Sequence, residues 1–143
     1  MTDQGVVEGR AGSTLRLRSS LGAERVRIWA DVNVKHSGPL GARQIEDEAR
    51  DLESRGLADA VLVTGEGTGR AVDTVELGAV RRAVKVPVLA ASGATIDGLG
   101  QLAAVCDGVI VGSALRADGQ AGGPIDAEKA RRFAHAFRGV FGR

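Results

Sequence analysis

An α/β fold built on a parallel sheet is what this sequence predicts, and three observations predict it. Four short apolar segments of strand composition occur, each followed by an amphipathic helical pattern. The connections are short and punctuated by glycine, with no hairpin signal, so consecutive strands run parallel through right-handed crossovers. The first strand has two unlike faces, with Val26, Ile28, Ala30, Val32 and Val34 on one and Arg27, Trp29, Asp31, Asn33 and Lys35 on the other. Both faces of an open doubly wound sheet meet helices, whereas one face of a barrel strand looks onto a lined interior. The polar alternates therefore favour a (β/α)4 unit of the (β/α)8 barrel type over an open sheet, although four units cannot close a barrel of eight.

In chain order, residues 3–12 are turn-rich, and Ser13 is placed to N-cap a short helix from Leu15 to Leu21 that Gly22 ends. The two-faced strand occupies residues 26–36. After the loop Gly38-Pro39-Leu40-Gly41, Ile45, Ala49 and Leu52 recur at helical spacing, and Gly56 stops that helix. Its other faces carry Glu46, Asp47, Glu48, Arg50, Asp51, Glu53 and Arg55, which read as solvent and ion-pair positions. Residues 60–64 form a second strand, apolar enough to be covered on both sides. Asp73 and Glu76 make a capping box for a helix whose Leu77, Val80 and Val84 face the sheet. Residues 86–91 form the third strand, with Pro87 at its start where a missing N–H is tolerated. Thr95 N-caps a helix over residues 96–105, and residues 109–113 form the fourth strand. Asp126 caps a final helix with Ala130, Phe133, Ala134 and Phe137 on one stripe.

Composition narrows the function classes. The 143 residues suit one domain, and 43% hydrophobic with 26% charged residues is ordinary globular usage. A net charge of +1, with basic residues scattered among acidic ones, lacks the basic stripe of a nucleic-acid binder. Cys106 is the only cysteine, which excludes an internal disulfide and suits a reducing cytoplasm; beside a buried strand it reads as an inert core thiol. No run has the length of a membrane span, and the first residues lack the basic-then-apolar order of a signal peptide. A cytoplasmic location is expected. Two histidines, His36 and His135, far apart in sequence, offer no zinc site, and no cofactor is named by any motif.

Several motifs, in order along nearly the whole chain, resemble the BtpA/SgcQ family of (β/α)8 proteins. They are Asp3-Gln4-Gly5, Ala30-Asp31-Val32 with Val34-Lys35-His36, the run Val63-Thr64-Gly65-Glu66-Gly67-Thr68-Gly69, Pro87-Val88-Leu89 then Ser92-Gly93, and Asp107-Gly108-Val109-Ile110-Val111-Gly112-Ser113. The resemblance implies that the chain carries βα units 5 to 8 of a barrel, preceded by the fourth helix, as a single partial domain over residues 1–143. A full barrel has about 250 residues, so the N-terminal half is expected to lie before Met1 in a longer reading frame. The sequence departs from the family pattern at Arg116, where a lysine is expected, at Gly98, where asparagine is common, and at Ala91, where glycine precedes Ser92-Gly93.

The strongest chemical signal is the pair of loops after the third and fourth strands. A barrel commonly holds a phosphate between its last two βα loops, where glycine lets backbone N–H groups approach an anion. Ser92, Gly93, Ala94 and Thr95 supply one half of such a cradle, and Gly112 and Ser113 the other, with Arg116 near in sequence to add charge. The bland alternative is a pair of tight βα turns. Residues 65–69 follow a strand and precede a helix, but their glycine spacing is not that of a dinucleotide fingerprint, so Thr64, Gly65, Thr68 and Gly69 read as a ligand-facing loop.

Asp31, Asn33, Lys35 and His36 are the candidate catalytic set, bringing an acid, an amide, an ammonium and an imidazole to the carboxyl end of one strand. The competing reading has Asp31 and Lys35 neutralising each other inside the barrel. Two function classes follow. One is a barrel, enzymatic or enzyme-like, that binds a small phosphorylated compound such as a sugar phosphate or nucleoside derivative. The other is a non-catalytic assembly or stability factor, since the resemblance includes proteins tied to photosystem I biogenesis. A half barrel made alone would expose two edge strands, so a second copy or the missing half is the expected protein partner.

Overall fold

Val61, Val63, Val88 and Ala90 are fully buried, while Leu62 and Leu89 between them are only half-buried, and this alternation decides how the sheet is covered. In a strand successive side chains point to opposite faces, so one face is packed under helices and the other is open. The computed structural model describes Gly5 and residues 8–32, 43–65 and 71–142.

The elements alternate in sequence: α1 (Ala11–Ser20), β1 (Trp29–Asp31), α2 (Ile45–Ser54), β2 (Ala60–Val63), α3 (Thr74–Ala83), β3 (Val88–Ala90), α4 (Leu99–Ala103), β4 (Gly108–Val109) and α5 (Ala127–Phe141). The four strands pair in parallel in the order β1-β2-β3-β4. Each crossover thus steps one strand in the same direction, and right-handed crossovers then put their helices on one face. A doubly wound sheet requires a reversal of strand order. None occurs among the described strands, so the chain is the parallel (β/α)4 unit that the polar alternates of β1 favour.

Helix α2 packs on α3 and β2, α3 on β3, and α4 on α5 and β4. Ala49, Leu77, Val80 and Leu99 are fully buried between the helices and the covered face, joined by Val72, Val84 and Phe133. Phe137 and Phe141 stack on α5 with ring centroids 4.6 Å apart. Asp73 caps α3 by accepting the Val75 N–H at 2.7 Å, and Asp126 caps α5 by accepting the Glu128 and Lys129 N–H groups. Helix α2 gives way after its C-cap Arg55 to Gly56, where a Cβ would sit 2.8 Å from the Leu52 carbonyl oxygen, and Leu57 then takes the left-handed conformation at φ 48°.

Several boundaries differ from the sequence reading. Ser13 lies inside α1 rather than capping it, its hydroxyl donating to the Arg10 carbonyl. Helix α4 begins at Leu99 and not at residue 96: Thr95 does accept the Gly98 N–H, but the residues between form turns, and glycine at 98 and 100 weakens helical order. Strand β1 starts at Trp29 rather than at residue 26, and β4 covers Gly108–Val109 rather than residues 109–113.

The amino ends of the strands are tied by carboxylates. Asp59, entering β2, accepts the Ile28 N–H at 2.8 Å and pairs with Arg27 at 2.6 Å; Asp107, entering β4, accepts the Val88 N–H and pairs with Arg81. Glu53 of α2 takes the Lys85 and Val86 N–H groups ahead of β3. The Ile28 amide and then the Arg27 guanidinium hold the Asp59 carboxyl below the ordinary aspartate range.

Two outcomes follow from this packing. Leu77→Ala is expected to lose about 3 kcal/mol, read as a lower urea midpoint at fixed protein concentration, because it empties a site with no exposure. Asp59 has a folded-state pKa below its unfolded value, so its contribution is full above about pH 4 and is lost as pH falls through the lower, folded-state value. Thermal melts of Asp59→Asn against the native chain should differ most near neutral pH and converge as the pH falls below about 4; equal differences at all pH values would contradict the assignment.

Candidate functional site

A parallel sheet whose crossovers all lie behind it presents its carboxyl ends and the following loops at one rim. Asp31 ends β1, Thr64 follows β2, Ser92 stands two residues beyond β3, and Gly112 and Ser113 stand three and four residues beyond β4. Asp31 registers with Leu62, so Asp31 and Thr64 share the open face, and the Thr64 hydroxyl donates to the Asp31 carboxylate. Asp31 is exposed and Thr64 half-buried. One residue later the buried Gly65 N–H donates to the Ser92 hydroxyl oxygen at 2.7 Å. Ser92 is itself buried, at 6% exposure. Contacts therefore run across the rim from β1 to β3, joining Asp31 to Thr64 and Gly65 to Ser92.

The loops after β3 and β4 turn sharply, with Gly93 in the left-handed region at φ 66°. A single 3-10 turn, Ser113–Leu115, follows Gly112. Among the described residues no acceptor is found for the amide N–H groups of Gly93, Ala94 and Thr95, nor for those of Gly112, Ser113 and Ala114. Two neighbouring strands thus each lead into three consecutive amides without an acceptor among the described residues.

Arg116 is committed elsewhere. Its guanidinium donates to the Gly123 carbonyl at 2.6 Å, and Arg116 also bridges to Ile125 through the backbone, so it braces the return loop to α5. Its Nε is buried and has no partner among the described residues. Lys129 on the first turn of α5 donates to the Arg116 and Ala117 carbonyls at 2.9 and 3.0 Å. Sequence reasoning missed a cleft of about 250 Å³ lined by Thr95, Ile96, Ala114, Lys129, Arg132 and Phe133. The i, i+3 spacing of Lys129 and Arg132 on α5 puts both cations on one helix face, a signal legible once α5 is known to return beneath the two loops.

The candidate residues Asn33, Lys35, His36, Thr68 and Gly69 lie outside the described residues. Cys106 is buried and donates to the Gly108 carbonyl, and burial pushes its thiol pKa up, which keeps it protonated and unreactive. Among the described residues no three or more of His, Cys, Asp and Glu gather in a group able to hold a metal ion, and no helix is long and apolar enough to cross a membrane.

Comparison with known proteins gives the lineage of this rim. A protein of Thermococcus kodakarensis is 41% identical over 131 residues, which are 92% of this chain and 49% of that protein. A protein of Synechocystis named photosystem I biogenesis protein BtpA is 40% identical over 136 residues, 94% of this chain and 47% of its own length. A mitochondrial protein of Caenorhabditis elegans is 35% identical, with 93% and 48% covered. The chain spans about half the length of these relatives. The family model described as BtpA family matches residues 1–139, nearly all of the parallel (β/α)4 unit together with its rim, and the chain belongs to the BtpA family.

Proposed function

We propose that the rim binds a small phosphorylated ligand, a sugar phosphate or nucleoside derivative, with its phosphate held between the loops that leave β3 and β4. One observation carries this reading: Gly93, Ala94 and Thr95 on one loop and Gly112, Ser113 and Ala114 on the next all have amide N–H groups without an acceptor among the described residues. Consecutive amides in a concave turn are good donors to an anion, and a phosphate offers enough oxygens to take several at once. Lys129 and Arg132 on the adjoining cleft add positive charge, a part that the sequence reading had given to Arg116.

The rest of the ligand would extend over the open face toward Asp31 and Thr64. If the family site turns its ligand over, Asp31 with Asn33, Lys35 and His36 supplies the polar groups for proton transfer or anion stabilisation. The Thr64 hydroxyl keeps Asp31 oriented at the strand end.

A second reading is a non-catalytic assembly factor. It is supported by the Synechocystis relative, whose name ties that protein to photosystem I biogenesis. Ligand binding separates the two.

Calorimetric titration with sugar phosphates and nucleoside monophosphates is expected to give micromolar binding to the native chain. Ser113→Asp should weaken it at least about tenfold, about 1.4 kcal/mol, by setting a carboxylate beside the phosphate. Ser92 is the poorer probe, because Ser92→Ala leaves the buried Gly65 amide without its acceptor and should cost about 1–3 kcal/mol of stability, read as a lower urea midpoint. If a folded family barrel carrying these loops binds none of the phosphorylated compounds, the ligand reading fails and the assembly reading stands.

A further inference from the structure

The cleft behind the two loops is continuous with their amide runs. Thr95 and Ala114 belong to both: their N–H groups are among those without an acceptor in the described residues, and both residues line the cleft. Its other walls are Ile96, from the turn into α4, and Lys129, Arg132 and Phe133 of α5, so it lies in the helix layer, on the far side of the loops from the open face. Ile96, Ala114 and Phe133 make it largely apolar, and Ile96 is 39% exposed. The two cations are differently engaged. Lys129 is held on the Arg116 and Ala117 carbonyls, whereas Arg132 has no hydrogen-bond or ion-pair partner among the described residues. A second hollow of about 340 Å³ shares Ile96 and Arg132 with the first and adds Glu128, Arg131 and His135.

We propose that this cleft holds the base of a nucleoside phosphate, its ring lying between Ile96 and the Arg132 guanidinium; the assignment rests on phosphate binding by the two loops and narrows the ligand to one class. Size is the first argument. A pocket for a whole small ligand has about 300–1,000 Å³. At about 250 Å³ the first cleft suits one ring system, and only a ring need enter it, because the phosphate stays outside on the backbone amides. Chemistry then separates a base from a sugar. A sugar ring would carry several hydroxyls onto Ile96, Ala114 and Phe133, and each hydroxyl buried there without a partner is a net loss. A base instead offers two weakly polar faces, one to pack on the Ile96 side chain and one to take the planar guanidinium, which stacks on such rings. Its polar edge turns to the second hollow, where Arg131, His135 and Glu128 offer donors and an acceptor. A second phosphate is the weaker occupant, since it would lose water against an apolar wall for one exposed guanidinium. A phosphate can bear two esters, so the nucleoside lies along α5 while a group on the other side of the phosphate reaches over the open face toward Asp31.

Ribose 5-phosphate is a nucleotide without its base, so it isolates this contact. In calorimetric titrations of the native chain, adenosine 5′-monophosphate is expected to bind at least about tenfold more tightly than ribose 5-phosphate. Arg132→Lys keeps the charge and loses the plane, and Ile96→Ala removes an apolar wall without changing charge. Each should weaken the mononucleotide at least about threefold and leave ribose 5-phosphate within about twofold of its affinity for the native chain. Irradiating the protein methyl groups should transfer saturation to adenine H2 and H8 more strongly than to the ribose protons. Both side chains are exposed, so circular dichroism should match the native chain; should Ile96→Ala lose helical signal, Arg132→Lys and the saturation transfer carry the test. Equal affinity for the two ligands, or variants that weaken both alike, overturns the base assignment and leaves phosphate binding standing. If neither ligand binds the native chain, phosphate binding itself fails and the base assignment falls with it.

Discussion

The handedness of the crossovers is the constraint on which the rest of the molecule depends. Parallel crossovers turn right-handed as a rule, and each one here moves one position in the same direction along β1-β2-β3-β4. Helices then share one side of the sheet, and the side chains alternate between a packed face and an open one. Val61, Val63, Val88 and Ala90 are buried by this rule, and Trp29, Leu62, Leu89 and Ile110 are left uncovered or half-covered by it. The same rule sets every strand end on one rim, which is why residues from 31 to 113 in the sequence arrive on neighbouring loops.

The two rims are chemically distinct. At the amino ends, carboxylates of Asp59, Asp107 and Glu53 accept backbone N–H groups of a neighbouring strand or its approach, and two of them also pair with arginines. Such contacts fix register and saturate donors that parallel pairing leaves open. At the carboxyl ends of β3 and β4 the side chains are short, Gly93 turns the chain in the left-handed region, and two runs of amides have no acceptor among the described residues. One rim uses its polar groups to hold the sheet. The other leaves donors without an acceptor among the described residues.

Contacts within the carboxyl rim also redistribute roles among residues that look alike in sequence. Ser92 and Ser113 both stand after a strand in small-residue loops. Ser92 is buried and holds the Gly65 amide, whereas Ser113 opens a short 3-10 turn at a half-exposed position. Arg116, the cation nearest the fourth strand, braces its own loop through Gly123, while Lys129 and Arg132 line the cleft from a later helix. Charge is thus brought to the loops by tertiary return rather than by local sequence.

By itself the sequence determined the fold class and the order of the elements. The 2-residue and 3.6-residue periods, the caps at Asp73 and Asp126 and the stop at Gly56 are local properties, set by backbone geometry within a few residues. The inertness of Cys106 was legible for the same reason, from the strand beside it. Tertiary structure decided what depends on neighbours distant in the chain. Helix α4 starts late, β4 stops at Val109, Thr64 turns to Asp31, Ser92 becomes a tie to Gly65, and Arg116 faces Gly123. A hydroxyl or guanidinium takes whichever partner the packed chain brings within about 3 Å, and no periodicity in the sequence encodes that distance.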